Sequence, residues 1–232
     1  MSLRAPVLLV SALTLAGCTV RGEPGPTATA HLDAGDVDLV KASITMRAGE
    51  FWITGGGVGL LDASFRYSRN VGTPDARYRI EDRIGRLEVD ASPASTSVAT
   101  SKLENDWRLR FGGRTPLELD VHLGAGESRL DLTALPLRRL DVHLGAGSLT
   151  LRLGPSDRNV DVNLTGGVGE AIIKVPASQS VVATATGGIG SIDTKNFDRR
   201  EGRYYTRAFD PSKPTIAIRA RGGVGSIEME AE

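Results

Sequence analysis

The side chains in this sequence with the types and spacing to hold an ion come in a repeat. The eight residues LDVHLGAG occur at 119–126 and again at 140–147, so Asp120 and His122 return as Asp141 and His143. If the two copies lie side by side in register, Asp120, Asp141 and Asp161 form one outward column and His122, His143 and Asn163 the next. Neighbouring strands are about 4.8 Å apart. Two imidazoles and two carboxylates at that spacing can converge on zinc or copper. An exposed sheet face, however, lacks the outer partners that fix ligand geometry. The expectation is therefore a solvated ladder of side chains, with no metal and no cofactor, and Asp120, His122, Asp141 and His143 stand as the weaker metal-site alternative.

Other catalytic signals fail on inspection. GGGVGL at 55–60 has the glycines of a nucleotide loop but opens no helix, and phosphate binding of that kind needs a helix N-terminus. No GxSxG, GKS or GKT occurs, and acidic residues are dispersed with no pair to serve as acid and base. A polysaccharide-acting enzyme ranks third among the functional readings, and no catalytic residue is nominated.

What must position the Asp and His columns is a strand. Leu117, Leu119, Val121 and Leu123 alternate with Glu118, Asp120 and His122, the pattern of a strand with one buried face. The unit continues through a glycine corner into a second short strand, Leu130–Leu132, and recurs at 140–153, 160–173, 181–194 and 215–229. An earlier copy lies at 44–56, where Ile44, Met46, Ala48 and Ile53 align with Val121, Leu123, Ala125 and Leu130. A unit of about 20 residues cannot bury its own apolar face, whereas stacked units bury a continuous one. The expected fold is all-β: a single-domain parallel β-solenoid with coils of about 21 residues and extra capping strands. A meander of antiparallel hairpins is the competing arrangement.

Three stretches carry a family resemblance: MRAGEFWITGGGVGLLDASFRY (46–67), 105–153 with both LDVHLGAG copies, and 187–229. They resemble the bacterial toast-rack N-terminal domain and are similar to the cell-wall-active antibiotic response proteins. The resemblance implies a β-solenoid of the cell envelope. Some relatives influence stress signalling, and similar solenoids occur as adhesin heads. It brings no catalytic residues.

Residues 57–116 break the period. LLDASFRYSRN, PDARYRIEDRIGRLEVD and WRLRF read as added strands over one end of the stack, separated by the polar loop ASPASTSVATS. Covering an open edge there guards against aggregation. Phe65, Tyr67, Trp107 and Phe111 are expected in the core, with a ligand groove as the alternative. A second insertion, 195–214, sets Phe197, Tyr204, Tyr205 and Phe209 among Arg199, Arg200, Arg203 and Arg207. Aromatic and arginine side chains are enriched in binding hot spots. The segment is read as a hairpin folded over the solenoid, with a partner-binding loop as its alternative.

The N-terminus reads as an export signal. One Arg precedes an apolar run from Val7 to Leu15, too short to span a membrane, and Leu15-Ala16-Gly17-Cys18 resembles a lipoprotein lipobox. Residues 1–17 are then a signal peptide, Cys18 the lipidated anchor, and 18–35 a flexible tether rich in Pro, Gly and Thr. Cys18 is the only cysteine, so an internal disulfide is impossible and lipidation is its simplest use. Thr19 after the cysteine, in place of Asp, favours outer-membrane sorting in a Gram-negative cell. The solenoid domain is placed at 36–232. With 28 basic and 28 acidic residues the chain has no charge excess to attract nucleic acid. The functional expectation is a lipid-anchored, non-catalytic binding or scaffold protein of the envelope, meeting the membrane through Cys18 and an envelope protein or glycan through its surface. A regulator of envelope stress signalling is the second reading.

Overall fold

The computed structural model describes residues 26–68, 71–92 and 104–232. The signal peptide, Cys18 and most of the loop ASPASTSVATS lie outside the described residues. The strands are β1 (Thr27–Leu32), β2 (Leu39–Gly57), β3 (Leu61–Tyr67), β4 (Pro74–Glu81), β5 (Ile84–Ala91), β6 (Asn105–Gly112) and β7 (Leu117–Leu132). They continue with β8 (Leu137–Leu153), β9 (Val160–Val175), β10 (Ser180–Lys195), β11 (Phe197–Arg200), β12 (Arg203–Thr206) and β13 (Thr215–Ala231). Residues 27–32, assigned to the tether on composition, instead form β1 and pair antiparallel with β3.

Six long strands, β2, β7, β8, β9, β13 and β10, lie side by side in that order, each parallel to the next. Each has two legs. In β7 the buried positions are Leu117, Leu119, Val121 and Leu123, then Ser128, Leu130 and Leu132. The alternation thus changes phase across residues 124–127, which turns both legs inward toward one interior. The same phase change occurs in β8, where Leu140, Val142 and Leu144 give way to Leu149, Leu151 and Leu153. Like stacks on like: Val121 lies beside Val142, and Leu130 beside Leu151. Full burial of each such side chain contributes roughly 1.5–3 kcal/mol. Between coils, the turn at Thr133–Pro136 is closed by bonds from Leu135 N to Leu132 O and from Leu117 N to Pro136 O.

The corner is a Gly-x-Gly pattern whose second glycine has φ between 128° and 142° at Gly126, Gly147, Gly169, Gly190 and Gly225, and 134° at Gly49. Only glycine takes that backbone region readily. All six are register partners along the stack. The first glycine is needed for close approach: a Cβ at Gly145 would stand 2.3 Å from the Gly124 carbonyl oxygen. In β2 that place is held by Arg47. Among the described residues, β5 pairs with β2 only as far as Ile44 and β6 only from Glu50, so neither lies opposite Arg47.

The spatial order departs from chain order at one point. β13 inserts between β9 and β10, although β9 and β10 are consecutive and similar in sequence. The outer edge of β10 is already paired, at Val182 and Ala183, with β12 of the antiparallel β11–β12 hairpin. The final strand lies along the inner edge. At the opposite end, β2 is extended along its first leg by β5 and β4 and along its second by β6, β3 and β1. Among the described residues, antiparallel pairing occurs within these flanking strands, within the β11–β12 hairpin and where β12 joins β10.

Candidate functional site

Asp120 and Asp141 are register partners on β7 and β8, as are His122 and His143. Ser43 and Thr45 of β2 continue the two columns on one side. On the other side the neighbours are Asn163 and Thr165 of β9. The expected columns ending in Asp161 and Asn163 are thus corrected by two residues: Asp161 lies opposite Arg139 and Asn163 opposite Asp141. Matching of the corner glycines, Gly147 to Gly169, sets this register, not matching of VDVN to LDVH.

The two imidazoles are stacked, with ring centroids 4.6 Å apart and planes 6° from parallel. His122 Nε2 lies 3.0 Å from Asp120 Oδ1. That oxygen is itself shielded and has no hydrogen-bond partner among the described residues, although the Asp120 side chain as a whole is 49% exposed. The ligand atoms of Asp120, His122 and His143 lie within 4.8 Å of one another. Asp141, the fourth sequence candidate, is engaged elsewhere. Arg139 Nε donates to its Oδ2 at 2.5 Å and Asn163 Nδ2 to its Oδ1 at 2.7 Å. Partial burial pushes the Asp141 carboxyl up, but the bonds from Arg139 and Asn163, with the nearby charges, outweigh it and hold the group below its usual value.

The arginine-rich insertion forms the β11–β12 hairpin and the turn after it. Tyr204 is buried, with the Arg199 guanidinium 5.5 Å above its ring. Arg200 lies 6.0 Å from the Tyr205 ring, which meets Phe209 edge-on at 4.7 Å. Thr206 pins the hairpin to β10: its hydroxyl donates to Gln179 O at 2.7 Å and accepts from Val181 N at 3.1 Å. Arg203 and Arg207 are exposed. Tyr204 and Thr206 therefore face the stack, whereas Tyr205 lies on the opposite face of the hairpin with Arg200 and Arg203.

Phe65, Tyr67, Trp107 and Phe111 are all core residues, at most 7% exposed. Sequence reading missed a different aromatic. Trp52 sits on the outer face between Arg108, 4.9 Å from its ring, and Arg129 at 5.9 Å. It borders a groove shared with Thr54, Asp62, Ser64 and Arg110. The available signal was the alternation Phe51 in, Trp52 out, Ile53 in; its neighbours on β6 and β7 could not be read from it.

Residues 21–174 match the family model of the N-terminal domain of toast_rack, DUF2154. The chain belongs to that family. Among solved structures, this toast-rack chain is similar to a candidate cell adhesion protein from Clostridium sporogenes, at 27% identity and a TM-score of 0.83, covering 90% of this chain and 100% of that one. It also matches a candidate adhesin from Bacteroides fragilis at 15% identity and a TM-score of 0.36, over 88% and 97% of the two chains. No curated protein matches.

Proposed function

We propose that this toast-rack protein is a lipid-anchored, non-catalytic module of the cell envelope that binds or scaffolds through its outer surface. Its coils take about 21 residues, and the strands in 57–116 cap one end. The observation that carries the reading is the division between inside and outside. Interior positions such as Val121, Leu140, Leu151, Val162 and Ile173 are aliphatic and at most 1% exposed. The Asp and His columns, Trp52 and the hairpin arginines face outward on a scaffold fixed by strand pairing. Such a body is built to present a surface, and the likeness to the Clostridium sporogenes cell adhesion candidate supports adhesion as the use. The hairpin arginines 199, 200, 203 and 207 suit an anionic envelope glycan or an acidic protein partner.

Anchoring rests on Leu15-Ala16-Gly17-Cys18. Labelling of cells with a fatty-acid analogue tests it: the wild-type chain should take the label and Cys18→Ser should not. A Cys18→Ser chain that remains processed and membrane-bound would end the lipoprotein reading. Retention of the purified protein on peptidoglycan or envelope polysaccharide tests binding. Failure of retention, with expression that rises under cell-wall antibiotics, would favour the signalling role instead.

A further inference from the structure

We infer that Asp120, His122 and His143 form a binding site for one divalent transition-metal ion of the zinc and copper class. The three side chains come from adjacent strands whose register is fixed on both sides by the stack. Their ligand atoms span no more than 4.8 Å. Ligands about 2.0–2.2 Å from a common ion lie roughly 3–4 Å from each other. Rotation of the side chains would bring the set together.

One further observation points to an ion. The imidazoles project from the same face, stacked 4.6 Å apart, and must tilt out of that stack for a nitrogen of each to face a common ion. Asp120 Oδ1 stands 3.0 Å from His122 Nε2, the separation of two ligands on one metal, and it is a solvent-shielded acceptor without a hydrogen bond. The Asp120 and His122 side chains are 49% and 46% exposed, so an ion can reach them from solvent, and a cation held between this oxygen and the imidazoles would give it a partner.

The expectation of a plain solvated ladder assumed that nothing around the columns fixes geometry. The structure fixes the choice of ligands, not their outer partners. Arg139 and Asn163 hold Asp141 in place beside His143 and take it out of the ligand set. The resulting two nitrogens and one oxygen favour zinc or copper over magnesium or calcium, which prefer all-oxygen sites. Three protein ligands leave a fourth position for water or for a donor from a partner molecule.

The test uses the full chain with Cys18→Ser, to remove its only thiol, and no histidine tag. After chelator treatment, calorimetric titration with zinc should show one equivalent bound and protons released, because coordinating imidazoles must be deprotonated. The melting temperature should rise with zinc concentration, and the copper-loaded protein should show two imidazole nitrogens by electron paramagnetic resonance. His122→Ala, His143→Ala and Asp120→Asn should each weaken zinc binding by at least about tenfold, the lower range seen even for outer-sphere partners. Asp161→Asn and His31→Ala should leave it unchanged. All five are surface substitutions, and metal-free melting confirms that each variant folds. Absence of one-to-one binding, survival of binding in the His122→Ala, His143→Ala double variant, or its loss in His31→Ala would overturn the assignment.

Discussion

A Cβ placed on Gly126 would stand 1.9 Å from the carbonyl oxygen of Gly49, one strand away. The same relation recurs from Gly147 to Gly126, so the corner column is closed to side chains by its own neighbours. Gly202, in the β11–β12 turn, also has positive φ, but an added Cβ there meets nothing within 4 Å. Gly147→Ala should therefore cost several kcal/mol, from backbone strain and a clash the stack cannot relieve, whereas Gly202→Ala should cost about 1–2 kcal/mol from strain alone. Chemical denaturation of the two variants checks the difference.

Leu144 is 6% exposed and lies beside Leu123 in the apolar stack. Leu144→Asp buries a carboxylate without a partner and should cost several kcal/mol or prevent folding. His122→Ala, one strand away on the outer face, should change the stability of metal-free protein by no more than about 0.5 kcal/mol. Comparable losses in both would mean that the inner and outer faces are reversed.

Glu232 gathers three strands at one end of the second legs, accepting from Lys174 of β9 at 2.9 Å and Arg152 of β8 at 2.7 Å. The bond from Lys174, then that from Arg152, holds its carboxyl below the ordinary value of 4.5. A lowered folded-state value means stabilisation that is present above the unfolded value and lost as pH falls through the folded one. Glu232→Gln should thus be slightly less stable than wild type at pH 7, and the difference should close below about pH 4.5. Melting curves across that range report it; a difference that grows with acid would contradict the pairing.

Insertion of β13 between β9 and β10 makes Arg219 the neighbour of both Asn163 and Thr184. Disulfides need Cα atoms about 4.4–6.8 Å apart, and strands two apart are separated by roughly 9–10 Å. In a Cys18→Ser background, the pair Asn163→Cys with Arg219→Cys should oxidise readily, and Asn163→Cys with Thr184→Cys should not. Gel mobility with and without reductant distinguishes the two pairings.

Much of this arrangement was legible because a two-residue period and a glycine corner are local signals. The alignment of Ile44, Met46, Ala48 and Ile53 with Val121, Leu123, Ala125 and Leu130 is the register found between β2 and β7 across 77 residues. The pairing of β8 with β9 was misread because a slip of two residues leaves every side chain on its correct face. Periodicity cannot detect such a slip; the Gly-x-Gly pair can, since Gly145 and Gly147 are both matched by glycines only when Gly167 and Gly169 stand beside them. The place of β13 was hidden for another reason. Sequence similarity marks equivalent coils but not which edge a strand takes; here β13 lies on one edge of β10 and the β11–β12 hairpin on the other.

The candidate site was legible in part. Repetition of LDVHLGAG placed His122 beside His143, because identical copies stack in register. Removal of Asp141 from the set was not, since it depends on Arg139 and on Asn163 arriving through the shifted register. Trp52 likewise gains its arginine neighbours only through pairing with β6 and β7.

If the chain acts by displaying a surface, its hairpin arginines should hold it to the envelope. Retention on purified peptidoglycan and envelope polysaccharide is measured for wild-type protein against the combined variant Arg199→Ala, Arg200→Ala, Arg203→Ala and Arg207→Ala. Wild-type protein should be retained in a way that salt weakens, and the variant should melt cooperatively near the wild-type temperature but wash through. A folded variant retained as well as wild type, or a wild-type chain that is not retained and instead cleaves the polysaccharide, would contradict this reading.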